Sequence, residues 1–189
     1  MSLLGWWQSD PAKIDLPPGQ KAPSIPQQIL LGNSEPFEFK GYQVSPLASF
    51  DVEAKVLAKK RYRLDREAEL APFDLALGWG LMSDQSVVDS LSIRQTGRWY
   101  IFRSNNAWFP HPMNLISQSS SNMHMVPSTD LIKAALSDIS VGSIVRFKGK
   151  LVSISHSDGF RWSSSLTRDD QGDGACELFY IESVNVTQD

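Results

Sequence analysis

Cys176 and His124 are the one pairing in this chain that could make a thiolate–imidazole nucleophile. A thiol becomes a strong nucleophile when a neighbouring base takes its proton. Gly172 and Gly174, just before Cys176, would let backbone come close to a substrate. Nothing in the spacing sets His124 beside Cys176, however. Cys176 also heads an apolar run, where a small buried thiol is the common outcome. The expectation is a buried, inert Cys176, with a Cys176/His124 hydrolase as the alternative.

Asp169, Asp170, Asp173 and Glu177 make the densest acidic cluster, a glycine-bearing loop over 169–177 beside Arg161 and Arg168. Paired carboxylates can do acid/base work, which gives a second hydrolase alternative, but solvated charges or internal ion pairs explain them equally. The order Asp169-Asp170-Gln171-Gly172-Asp173-Gly174 is not that of a calcium loop. His111, His124 and His156 are far apart and fall in no metal-ligating spacing. No metal and no cofactor is expected.

A polar–aromatic set is more informative. Trp79, Trp99, Trp108 and Trp162 sit beside Asp84, Arg98, His124, Arg161 and Ser163 to Ser165. Such polar groups are costly inside a protein unless satisfied. If Trp79, Asp84, Arg98, Trp99, His124, Arg161 and Ser163 converge, they make either a buried hydrogen-bond network or a pocket for a small polar ligand. On a strand Trp162 would point inward, and Arg161 would face the side the 169–173 loop can reach.

The elements that must position these residues read as mostly β. The chain has 189 residues, 41% of them hydrophobic and 21% charged, which suits one globular domain plus a tail. Residues 1–36 read as a proline-rich leader, with Pro11, Pro17, Pro18, Pro23, Pro26 and Pro36 favouring extended backbone. This leader is expected to act as a strap or linker that adds little to stability. Residues 37–189 read as the domain. Phe50, Val52, Ala54 and Val56 alternate with Asp51, Glu53 and Lys55 along a long strand over 50–64, with a bulge near Lys59 and with Tyr62 and Leu64 continuing its inner face. Arg66 to Leu70 suit a helical turn, Phe73 to Gly80 a buried turn, and Ser83 or Asp84 the cap of a short helix. Ile93 to Arg103 reads as one strand, residues 104–112 as loop, 117–121 as a low-complexity polar stretch, and the alternation of Asn122 and His124 with Met123, Met125 and Val126 as a short strand. Leu131, Ile132, Ala135, Leu136 and Ile139 line one face of the clearest helix. Three strands follow, with a turn at Asp158-Gly159. One helix before the C-terminal strands is the arrangement of an OB-like small β-barrel within the α+β class.

Leu77-Gly78-Trp79-Gly80-Leu81-Met82-Ser83-Asp84, Ser121 to Pro127, Arg161 to Arg168 and Gly172 to Glu177 together resemble an uncharacterised bacterial protein family of the cell envelope. The resemblance covers about residues 40 to 186. It implies a periplasmic or membrane-anchored location, with the leader tethering the domain to an anchor outside this segment. It implies no reaction, cofactor or ligand.

Charge bears on partners. The net charge is −3, and an acidic chain releases few counterions from a phosphate backbone. The one basic run, Lys55, Lys59, Lys60, Arg61, Arg63 and Arg66, is broken by Asp65 and suits a solvated strand face. Nucleic acid is therefore not expected, and a single-strand binder is the last alternative. A single cysteine permits the cytoplasm as well. The leading expectation is a non-enzymatic binding or assembly domain whose partner is a protein or a small polar ligand.

Overall fold

Phe50, Val52, Ala54 and Val56 are all buried along one face, as the alternation requires. They belong to a longer strand than the sequence predicts. The computed structural model describes residues 11–167 and 177–187, and in it β3 runs from Tyr42 to Arg61. Its register shifts between Pro46 and Ala48 and again between Val56 and Ala58, slightly ahead of the expected bulge. Pro46 cannot donate to a ladder, so an irregularity belongs beside it.

The protein is mostly β with a mixed sheet. Two short strands, β1 (Gln27–Leu30) and β2 (Phe37–Phe39), pair with β3. Helix α1 (Arg66–Leu70) leads to β4 (Phe73–Gly78). A 3-10 turn (Gly80–Ser83), α2 (Gln85–Asp89), β5 (Leu91–Thr96), β6 (Trp99–Ser104) and α3 (Met113–Gln118) form an excursion before β7 (Ser120–Pro127). Helix α4 (Asp130–Asp138), β8 (Ile144–Ser155), β9 (Arg161–Ser163) and β10 (Glu177–Thr187) complete the order.

Strand β3 is antiparallel to β8 along Gln43 to Lys55 and to β4 along Lys55 to Arg61. Strand β4 is antiparallel to β7, β7 is parallel to β10, and β10 is antiparallel to β8. Each of these five strands therefore pairs with two others of the set. Inside lie Phe50, Phe73, Leu75, Met125, Phe147 and Phe179, with Phe50 and Phe179 edge to face at 5.1 Å. Leu136 of α4 joins them, and Thr129 caps that helix. Leu131, expected on its buried face, is 83% exposed.

Three other readings change. Phe73 to Gly78 is a strand, not a turn; every residue in it is buried. A strand covered on both faces shows no alternation, and the glycines around Trp79 mimic turn signals. The stretch read as one strand over 93–103 is a hairpin, β5 against β6, turning at Gly97 and Arg98. Leu64 is fully exposed beyond the end of β3.

The leader also differs from expectation. Ile14 N–H donates to Val141 O at 2.8 Å, Gly19 N–H to Asp84 Oδ1 at 3.0 Å and Ala22 N–H to Ser83 Oγ at 3.1 Å. Ala22 is fully buried, and its carbonyl accepts from Gly80 N–H. Regular hydrogen bonding to a folded edge needs no periodicity in the strap itself, so the contacts at Ile14, Gly19 and Ala22 leave no pattern in its sequence. Among the described residues no helix is long and apolar enough to cross a membrane.

Candidate functional site

Asp74 is the second residue of β4, and His124 is its cross-strand neighbour on β7. Phe73, Leu75, Met123 and Met125 point into the core, so alternation turns Asp74 and His124 to the other face of the same pair of strands. A carboxylate in a fully buried strand has to be paired. Asp74 Oδ1 meets His124 Nδ1 at 2.8 Å and Arg98 Nη1 at 3.1 Å. Asp74 Oδ2 is buried with no hydrogen-bond partner among the described residues.

Arg98 reaches this face from the turn of the β5–β6 arm. Gly97 and Arg98 both have positive φ, 52° and 65°, the geometry of a two-residue hairpin turn that follows strand twist. A non-glycine residue there is uncommon, and Arg98 is held by many partners. Its Nε lies 2.9 Å from Glu67 and its Nη2 3.3 Å from Asp65. Its backbone N–H donates to Tyr62 Oη at 2.9 Å, and its carbonyl accepts from Asn122 Nδ2 at 3.1 Å. The guanidinium lies 4.1 Å from the Tyr62 ring centroid and 5.4 Å from that of Trp162, within cation–π range. Trp162 packs on the His124 ring at 5.0 Å. Burial, and then the Asp74 carboxylate, push the Tyr62 phenol above its ordinary pKa. Farther along the arm, Gln95 Nε2 donates to Asn122 Oδ1 at 2.7 Å.

Of the residues expected to converge, then, Arg98 and His124 do, with Trp162 between them. Trp79 is buried in the main hydrophobic core and donates Nε1–H to Gln118 O at 3.1 Å. Asp84 caps α2 through Ser86 N–H and holds Gly19 of the strap. Trp99 lies on the outward face of the arm, 42% exposed. Arg161 and Ser163 are exposed on β9, and Arg161 makes no hydrogen bond or ion pair among the described residues. Cys176 and the acidic residues Asp169, Asp170 and Asp173 lie outside the described residues. Glu177, which follows Cys176, is in register with Met123, and Leu178 with His124. Among the described residues no cluster of three or more His, Cys, Asp or Glu side chains could hold a metal.

Tyr62, Asp65, Glu67 and Asp74 were not among the site residues expected from the sequence. Asp74 had a usable signal: a lone carboxylate inside Phe73-Asp74-Leu75-Ala76-Leu77 needs a cationic partner once that run is taken as a strand. Asp65 caps α1, accepting from Ala68 N–H at 2.6 Å, and Glu67 stands in the same helix.

The basic run of β3 and α1 is not one solvated face. Lys55 is 2% exposed and donates to Gln85 Oε1, and burial pushes its ammonium below the ordinary lysine pKa. Lys59 donates to the carbonyls of Ser137 and Ile139 at the end of α4, at 2.6 and 2.9 Å. Arg66 pairs with Asp158 at 2.8 Å and lies over the Phe160 ring. That pairing holds the Asp158 carboxyl well below the usual carboxylate range.

Set beside family models, curated proteins and solved structures, the chain gives no match in any of the three comparisons.

Proposed function

We propose that this chain is a non-enzymatic binding or assembly module on an OB-like barrel, and that its recognition surface is the β5–β6 arm. The circuit of pairings β3–β4–β7–β10–β8–β3, with α4 between the third and fourth of these strands in chain order, supports the barrel. OB-like barrels take ligands on the face of their second and third strands, between the loops joining strands one to two and four to five. Here that face is the Asp74–His124 side of β4 and β7. The observation that carries the reading is its occupant: Arg98, bonded to Asp65, Glu67 and Asp74 and flanked by Tyr62 and Trp162. The chain fills its own ligand face with the tip of the arm, and the arm's opposite face looks outward.

Hydroxyl-radical footprinting tests this. Trp108, 89% exposed in the loop after β6, and Trp99 are expected to be modified readily in the purified protein and protected in cells that express it. Equal modification in both settings, or protection confined to Trp162 on β9, would overturn the arm as recognition surface.

One observation favours a second reading. Asp74 on Nδ1 of His124 is the base–orienter half of a nucleophilic triad, which suits the Cys176/His124 hydrolase. Alkylation of the Cys176 thiol across pH separates the two. The hydrolase requires a midpoint well below the ordinary thiol value of about 8.5, raised by Asp74→Asn. The binding module gives a midpoint at or above it.

A further inference from the structure

We infer that the outward face of the β5–β6 arm is a docking surface for an anionic lipid bilayer, an inference that rests on the arm being the recognition surface. The register pairs Arg94 with Ile101, Ser92 with Arg103 and Thr96 with Trp99. Directly paired residues share a face, so one side of the ribbon presents Trp99, Ile101, Arg94 and Arg103. All four are exposed. The opposite side, with Ile93, Tyr100 and Phe102, packs against the protein and is not free to turn outward. Trp108 follows in the loop beyond β6.

The charge of the arm is set apart from that of the chain. No aspartate or glutamate occurs between Asp89 and Asp130, while Arg94, Arg98 and Arg103 fall inside that interval. Arg98 is neutralised by Asp65, Glu67 and Asp74, which leaves Arg94 and Arg103 facing out in a protein of net charge −3. Exposed tryptophan and isoleucine beside arginine, with no acid, is the composition that sits at a headgroup boundary. Aromatic rings there lie between water and acyl chain, and each cation near an anionic leaflet adds attraction that salt screens. A nucleic acid would call on more cations than two, and it has no use for an exposed Ile101. An anionic membrane uses both halves of the face.

Co-sedimentation of the whole chain with vesicles of phosphatidylcholine containing about a third phosphatidylglycerol tests the proposal. Binding is expected to these vesicles, to weaken at high salt, and to be about tenfold weaker on pure phosphatidylcholine. Trp108→Ala and the pair Arg94→Glu with Arg103→Glu are each expected to weaken it by about tenfold or more, with unchanged thermal melting. Arg161→Glu, an exposed arginine off the arm, serves as control and is expected to have little effect. Absence of vesicle binding, or binding indifferent to the arm variants, would overturn the proposal; so would binding of single-stranded DNA by the arm in place of vesicles. Protection of Trp108 in cells without vesicle binding would keep the arm as recognition surface and remove the lipid as its partner.

Discussion

Arg98 and Asp74 meet at 3.1 Å across two separate sheets, the arm and the main sheet, and Asp74 Oδ1 is shared with His124. The contact ties the tip of the arm to β4, beside the packing of Ile93, Tyr100 and Phe102. Without Arg98 the buried Asp74 carboxylate would have, among the described residues, no cationic side chain paired to it beyond the His124 imidazole.

Replacing Arg98 is therefore expected to be severe. Arg98→Ala leaves a buried carboxylate short of its cation and should cost about 3–5 kcal/mol, read from urea unfolding. Arg161→Ala, on an exposed arginine, should change stability by less than about 0.5 kcal/mol. Similar losses from both would remove the distinction drawn between them.

The strap gives a second expectation. Deleting residues before Phe37 takes away β1 and the bonds to Val141, Ser83, Asp84 and Gly80. At roughly 1 kcal/mol net per hydrogen bond, the melting midpoint should fall sharply. Gly142→Ala should reproduce part of the loss, because Gly142 has φ +97° and an added Cβ would run into the Ile14 carbonyl of the strap. A truncated protein that melts with the whole chain would contradict this.

Lys55 supplies a pH dependence. Burial lowers its pKa in the folded state from 10.5, so the folded protein binds fewer protons than the unfolded chain in the interval below 10.5. Stability is expected to rise as pH climbs from the folded value toward 10.5, and to be lost as pH falls back through it. Lys55→Met removes the buried ammonium and should flatten that slope, gaining on the order of 1 kcal/mol near neutrality. An unchanged slope in the variant would assign the pH dependence elsewhere.

Much of the β architecture was legible from residue alternation. The alternation at Phe50 to Val56, the cap at Asp84, the turn at Asp158-Gly159 and the helix that carries Ile132 and Leu136 all rest on local rules, and each is present. What escaped was governed by tertiary cover. Strand β4 is buried on both sides and so shows no period. The Gly97-Arg98 turn uses an arginine in a conformation that glycine or asparagine normally takes, and its fixing comes from Asp65, Glu67, Asp74 and Tyr62, all distant in sequence. The polar–aromatic set was visible as composition. Its division into an internal cluster around Arg98 and His124, an outward Trp99 and an exposed Arg161 was not, because only the register of the arm assigns each residue a face.

Arg98 holds the arm against the buried Asp74 carboxylate of β4, and a double-mutant cycle measures that link directly. Arg98→Met, Asp74→Ala and the double variant would be unfolded in urea beside the parent protein. A coupling on the order of 2 kcal/mol is expected, since residues sharing a buried ion-pair network lose it together. A coupling below about 0.5 kcal/mol, the level at which separate sites simply add, would contradict the claim that the Arg98–Asp74 pair ties the arm to the main sheet.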